Sequence, residues 1–433
     1  MGLVYIFLCI VLLAVLCILG VHVILSSVIS AAVLCLLLGL PIYDSIMGPM
    51  MAGFGNFIAT YFVLILLGGF LSSVLAKSGS TESIARALSK AFGTKYTMVA
   101  IVFIGVVLGL GGVNMYVAYF AVMPIAFSML RRADLPRRLW IGAWVAGTST
   151  FAMTGPFVPT MQNAVGIKFL GTTAAAGWQV GLIGWIPFGL LVIYHEYRAG
   201  VRAKKRGEHF IARPDDVFYD DAKDENLPHW ILPVIPIALL ILLMNIFAWK
   251  IEICLLIALA VAVLLLWKYI PTKDGGIAKI VKETLSNVSI AALTPAATVG
   301  FAALVTSTEA FAGLASTAIE MNWDPFITSA AIAGLGACFS GSCVAGLSIS
   351  FPTCLQMFGN AGLNLETLHR VATIGAGTID SLPHAGALNM YAQVAGEKMR
   401  DVYWDIFFVS VLCPIGATAF SIIAAYLLGF AYV

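Results

Sequence analysis

Hydrophobic positions along this chain come in long uninterrupted runs, not in the one-sided stripes of a soluble helix. Leu3–Leu19, His22–Leu38, Thr60–Ala76, Gly177–Tyr194, Trp230–Phe247, Ile251–Trp267 and Tyr403–Leu428 are such runs. Each approaches or exceeds the roughly 20 apolar residues that cross a hydrocarbon core as a helix. The pattern predicts an all-α polytopic membrane protein. The first run has no Lys or Arg before it and no small-residue cleavage site after it, so it is expected to be a retained helix and not a signal peptide.

Composition agrees with the pattern. Of 433 residues, 61% are hydrophobic and 11% charged, and the mean hydropathy is +0.97. A soluble domain carries about a quarter charged residues. The net charge of +2 points to no nucleic acid. Seven of the eight cysteines lie in apolar runs, Cys343 lies in a Gly/Ser turn, and no CxxC pair occurs. Neither a disulfide framework nor a metal site follows from them, and no cofactor is expected.

The chain repeats itself. Ala146-Gly147-Thr148 recurs 230 positions on as Ala376-Gly377-Thr378. The same shift carries Thr60–Ala76 onto Ile290–Thr306, the turn Gly109–Gly112 onto Phe339–Ser342, and Gly177–Tyr194 onto the final helix. Residues 1–195 and 230–433 are therefore expected to be two copies of one unit. Residues 196–229 are expected to be a polar linker, basic at Arg198, Arg202 and Lys204–Arg206 and acidic at its far end. Excess Lys and Arg marks cytoplasmic loops. Arg131, Arg132, Arg137, Arg138 and the linker then face the cytoplasm, and Thr306–Asp324, without a base, faces outward. This places an odd number of crossings in the first copy, so the second is inserted upside down. Each copy is expected to hold a re-entrant hairpin and a broken helix, and both termini are expected outside. Inverted-topology repeats are characteristic of secondary transporters, with the site near the midplane.

The chain breaks its helices at four related places: Gly109–Asn114, Ser340–Ser342, Gly147–Pro156 and Gly377–His384. Irregular backbone at membrane depth is tolerated only against protein or a water-filled cavity. Helix N-termini at such breaks suit a carboxylate. The expected substrate site is Asn114, Thr148, Ser149, Thr154, Ser340, Ser342, Thr378, Ser381 and Asn389. Close packing and bonding back to a carbonyl are the competing explanation of each small hydroxyl residue. Asp380 is the one carboxylate between Val371 and Val394, and its repeat mate is Thr150. A charge there costs at least about 2.5–3.5 kcal/mol, so Asp380 is the candidate proton carrier. His384, four residues on, is its candidate partner; the bland alternative is a neutral histidine capping the break.

The run Asp380-Ser381-Leu382-Pro383-His384-Ala385-Gly386-Ala387, preceded by Gly375-Ala376-Gly377-Thr378, resembles the Asp-Thr-Leu-Pro-His-x-Gly-Ala signature of the gluconate/proton symporter family. Length, duplication and linker position extend the resemblance over nearly the whole chain. The resemblance implies the inverted repeats and elevator-type motion of the wider ion-transporter superfamily, a homodimer in the cell inner membrane, and uptake of sugar acids or short hydroxy acids with protons. The break differs from that of gluconate-specialised members and is closer to permeases for acids such as 3-hydroxybutyrate. A short monocarboxylate is thus the first choice of substrate. Sodium coupling is the alternative, through oxygens such as Thr148, Ser149, Asn163, Thr378 and Asn389. A channel lacks the repeated filter or charge rings that function needs. An intramembrane hydrolase using Ser340 and His384 would lack the usual Gly-x-Ser-Gly turn, since Cys338 stands first.

Overall fold

The computed structural model describes the chain apart from residues 1, 20, 111–114, 214, 215, 217, 219–226, 248, 273–275, 312–322, 341, 342 and 384. Within helices it also leaves undescribed the side chains of 3, 14, 17, 18, 116, 117, 120, 121, 339, 340, 386 and 389. Three of the expected site residues, Asn114, Ser342 and His384, lie outside the described residues.

The protein is a helical, multi-pass membrane bundle. In the first part of the chain run α1 (Gly2–Ile18), α2 (Val23–Leu38), the single turn α3 (Ile42–Ser45), α4 (Met51–Lys77), α5 (Ser80–Phe92), α6 (Thr97–Leu110), α7 (Met115–Ala133), α8 (Leu139–Val145), α9 (Met161–Leu170) and α10 (Trp178–Lys205). The second part holds α11 (Ile231–Asn245), α12 (Ile251–Leu266), α13 (Gly276–Thr306), α14 (Pro325–Ser340), α15 (Cys343–Phe358), α16 (Leu365–Ala376), α17 (Gly386–Val394), α18 (Met399–Phe407) and α19 (Cys413–Leu427). Among the described residues the only extended pairing is a bridge between Leu363 and Tyr432. Among the described residues, five continuous helical stretches are long and apolar enough to cross a bilayer: Ile42–Lys77, Trp178–Lys205, Ile251–Tyr269, Gly276–Thr306 and Met399–Leu427. Helices satisfy their own backbone, which is why apolar sequence of this length folds this way in lipid.

Two exceptions to straight passage shape the bundle. Gly93, at φ 63°, ends α5 in the left-handed region, and α5 meets the following helix at 108°. Helix α5 is strongly one-sided, with Ile84 and Ala85 buried and Lys90 near its end. Widened π turns interrupt the helices at Ile46–Met50, Ala146–Ala152 and Phe408–Leu412. Pro49 lies in the first of these and Pro414 just past the third, where a missing N–H loosens the ladder.

Small residues set the closest helix crossings, as expected where lipid removes the hydrophobic drive between helices. Helices α4 and α13 pack antiparallel. A Cβ on Gly53 would come 2.4 Å from that of Ala303, and one on Gly69 would come 2.6 Å from Val288 Cγ2. Further along, Thr284 donates to Ser73 Oγ at 2.7 Å, and Lys77 pairs with Glu283 at 2.7 Å. Helices α10 and α19 also pack antiparallel, Gly184 against Ser421 and Phe188 against Gly416.

Helix α10 runs on through Lys205, so Glu196, the first residue of the polar stretch, is helical and buried. The described part of the stretch folds back onto the bundle. Asp216 takes the Arg137 guanidinium at 2.6 Å, and Arg213 meets Glu397 at 3.4 Å. Glu208 takes Arg138 at 2.8 Å. At the exposed edge, the His209 hydrogen bond and the Phe210 amide hold the Asp134 carboxyl below the usual carboxylate range.

Candidate functional site

The first helix interruption follows α8. Gly147 does not unwind the helix as its sequence suggests, because the backbone stays helical through the π turn. What Gly147 provides is close approach, since a Cβ there would stand 2.3 Å from the Val102 carbonyl and 3.0 Å from Gly105 Cα. This seats α6 against the π turn. The chain leaves the helix only near Gly155, with Phe157 at φ 69°, and re-enters at α9 behind Thr160. Buried Asn163 binds the loop from below, donating Nδ2 to the carbonyls of Gly155 and Val158 at 3.1 and 2.8 Å.

The threonine hydroxyls of this first break are occupied. Thr148 donates to the Trp144 carbonyl at 2.8 Å, Thr154 to that of Thr150 at 2.9 Å, and Thr150 to that of Val409 at 3.0 Å. Thr154 also accepts Trp185 Nε1 at 3.1 Å. Ser149 is half-buried on the same turn.

A residue that sequence reasoning passed over completes this region. Arg370, on α16, is fully buried. Its Nη1 donates to the Thr154 carbonyl at 2.9 Å, Nη2 to Ala174 at 3.0 Å and Nε to Ala176 at 3.0 Å. The carbonyls freed where the first half of the chain stops being helical are thus satisfied by one cation from the second half. Beside it, His369 Nδ1 lies 2.7 Å from Thr172 Oγ1. The signal was present as His369-Arg370 at the edge of an apolar run, one position before the stretch surveyed for charges.

The second interruption lies between α16 and α17, and its described residues from Gly377 to Pro383 and Ala385 are not helical. Thr378 bonds back to the Gly375 carbonyl at 2.6 Å. Asp380 is held from two sides. Its Oδ1 accepts the Ser381 hydroxyl at 2.8 Å, and its Oδ2 accepts Cys343 Sγ at 3.1 Å. Cys343 opens α15, so the carboxylate lies against the first residue of that helix. Ser410 donates to Ser381 Oγ at 2.6 Å, and Tyr403 donates to the Ser381 carbonyl at 3.4 Å. Ser340 ends α14 and Asn389 lies within α17, their side chains outside the description. The two interruptions meet at one point, where a Cβ on Gly377 would come 2.8 Å from Thr154 Cγ2.

This arrangement brings Thr154, Thr378, Asp380 and Ser381 into one buried region where both breaks converge. It contains a single acid, supported by hydroxyl and thiol donors. Thr148, Thr154 and Thr378 have their hydroxyl hydrogens turned to carbonyls of their own helices, leaving oxygen lone pairs to meet other groups.

A family model described as GntP family permease matches residues 1–253. The uncharacterized transporter YxjC of Bacillus subtilis is 28% identical over 434 residues, covering 89% of this chain and 90% of its own. A high-affinity gluconate transporter of Escherichia coli is 26% identical over 113 residues, 26% of this chain and 25% of its own. The crystal structure of the YdaH transporter of Alcanivorax borkumensis superposes with a TM-score of 0.59 at 14% identity, covering 89% of this chain and 88% of that one. That last likeness is one of fold.

Proposed function

This chain belongs to the GntP family of permeases, and we propose that it is a secondary active transporter that carries a small organic monocarboxylate, a short hydroxy acid or sugar acid, together with protons. The observation that carries the reading is Asp380. It is an acid inside a helix break, pressed against a helix turn at Cys343 and reached by a hydroxyl chain through Ser381 and Ser410. Carboxylates at membrane depth are functional by default, because an apolar residue in the same place would avoid their burial cost. The gluconate transporter among the relatives supports an organic acid as the class of cargo.

The substrate carboxylate is placed, in this reading, between the breaks and the turns, near Asn114, Thr148, Ser149, Thr154, Ser340, Ser342, Thr378, Ser381 and Asn389. Asp380 and His384 handle the proton. The architecture behind it is two copies, 1–195 and 230–433, inverted about an axis in the membrane plane and joined through 196–229. Antiparallel packing supports the inversion: α4 lies 230 positions before nearly all of α13, and α10 about the same distance before α19. Helices related by such an axis cross it in opposite directions, as both these pairs do. The proposed setting is a homodimer in the inner membrane.

The test is uptake of labelled gluconate and 3-hydroxybutyrate into proteoliposomes under a proton gradient, a sodium gradient, or neither. Accumulation of at least one acid under the proton gradient alone is expected. Accumulation under sodium alone would replace the proton with sodium, and uptake of neither acid would reject the cargo class.

A further inference from the structure

One acid in the bundle is left without work by that reading. Glu196, on α10, is fully buried, and neither carboxyl oxygen has a hydrogen-bond partner among the described residues. The space it occupies is opened by Gly142 of α8. A Cβ there would stand 3.3 Å from Glu196 Oε1 and 3.0 Å from Asp405 Cβ, so two acids from different helices close on one glycine.

The neighbouring charges are already committed to Asp405, which is 9% exposed on α18. His195 Nε2 lies 3.0 Å from Asp405 Oδ1, Arg138 Nη1 lies 3.5 Å from Oδ2, and Arg202 Nη2 lies 3.8 Å from Oδ1. Arg138 is shared with Glu208, which Arg206 also approaches at 3.9 Å. These are the titratable and charged groups that the surrounding elements turn toward the pair. A carboxylate sealed from water without a donor is costly, and a bound proton removes that cost.

We propose that Glu196 is a second proton-binding site, set beside Asp405 and His195 at the linker end of the bundle, which receives the proton released from Asp380. This rests on the proton-symport reading above. A route is visible in part. Ser410 donates to Ser381, which donates to Asp380. Ser410 lies on the same continuous helical stretch as Asp405, five residues further on, roughly 7 Å of helical rise. Between them, Phe408 stacks on the His195 ring with centroids 4.1 Å apart. Asp405 therefore stands between one and two helical turns from the hydroxyl that touches the first proton site, with Glu196 of α10 beside it.

Infrared difference spectroscopy of the purified full chain, titrated from acid to alkaline pH in water and in deuterium oxide, reads this site without a substrate. A carboxylic-acid carbonyl band that shifts in deuterium oxide is expected, lost in Glu196→Gln and kept in Asp380→Asn. An unchanged spectrum in Glu196→Gln overturns the proposal. Asp405→Asn leaves Glu196 in place and is expected to move the midpoint of that band; an unmoved midpoint overturns the shared site. In proteoliposomes carrying gluconate or 3-hydroxybutyrate, Glu196→Gln is expected to slow proton release into the lumen several-fold while exchange of labelled for unlabelled acid persists. Loss of exchange would overturn the relay, because it would put Glu196 in substrate handling. If the wild-type chain moves neither acid, the transport reading fails while the infrared result still decides whether Glu196 binds a proton.

Discussion

The two helix interruptions occupy matching places in the chain and do different things with the same problem. The one after α8 frees carbonyls and has them filled from within, by Asn163 from its own half and by Arg370 from the other half. It carries no acid among its hydroxyls. The one after α16 sends a cation away to its counterpart and keeps a carboxylate, Asp380, which among the described residues is supported by the neutral donors Ser381 and Cys343. A broken helix can thus be a braced structural joint or a chemical site. What separates them here is where the charged side chains of α16 and its following loop are aimed. The joint should therefore fail as structure and the site as transport.

The largest effect should come from unbracing the joint. Arg370→Met removes a donor from three buried carbonyls at once, of which Ala174 keeps the Phe157 amide at 2.9 Å. Each buried group left unpaired costs about 1–3 kcal/mol, so with the Thr154 and Ala176 carbonyls stripped a loss of about 2 kcal/mol or more is expected. A fall in melting temperature and in the monodisperse fraction in detergent would report it. Arg370→Lys should recover only part, since one ammonium cannot reproduce the planar fork. If Arg370→Met melts with the wild type, the first break is not held from the second half and the contrast drawn here collapses.

The site should fail differently. Asp380→Asn keeps shape and most hydrogen bonds, so folding should change little while accumulation driven by a proton gradient is lost. Exchange of internal for external acid should survive, because exchange needs no net proton release. Loss of exchange together with accumulation would make Asp380 a substrate ligand, and full accumulation would end its coupling role.

Much of this is legible in the sequence. The spanning helices follow from apolar runs, because lipid leaves a long apolar segment little choice but a helix. Gly377 and Pro383 likewise stand in the open segment after α16, where a missing side chain and a missing N–H both work against helix. Three things were not readable. Gly147 looked like a breaker but is a contact residue inside a π turn, and sequence does not separate a glycine that unwinds from one that lets another backbone approach. Arg370 and Glu196 looked like the charged margins of apolar runs. Their burial depends on which helix lies across from them, and that is long-range information. The hydroxyls of Thr148, Thr154 and Thr378 are the third case, since bonding back to the own helix and facing a ligand draw on the same residue types.

An intermediate effect should separate two glycines at the same repeat position. A methyl at Gly147 would meet the Val102 carbonyl and Gly105 Cα, both backbone. A methyl at Gly377 would meet the Thr154 side-chain methyl at 2.8 Å and the nearest backbone atom, the Ile374 carbonyl, at 3.4 Å, a looser fit than at Gly147. Gly147→Ala should therefore cost about 1–3 kcal/mol, in the usual range for overpacking, and Gly377→Ala less. Thermal melts of the two variants side by side measure the order, and a reversed order would mean that the second break is the more rigid one.

The smallest effect expected is also the most local. Val409 and Ser410 are adjacent on the π turn before α19, yet they serve different interruptions: the Val409 carbonyl accepts Thr150 of the first, and the Ser410 hydroxyl donates to Ser381 of the second. Removing either hydroxyl, by Thr150→Val or Ser410→Ala, deletes one buried hydrogen bond worth about 1 kcal/mol, so the two variants should lose similar stability. Their transport should differ. Thr150→Val touches nothing connected to Asp380, and its driven uptake should keep the wild-type dependence on pH. Ser410→Ala leaves Ser381 without its donor and interrupts the hydroxyl chain, so its driven uptake should fall a few-fold with an altered pH profile and unchanged exchange. Matched pH profiles in the two variants would show that Ser410 is packing and that the proton leaves Asp380 by another route.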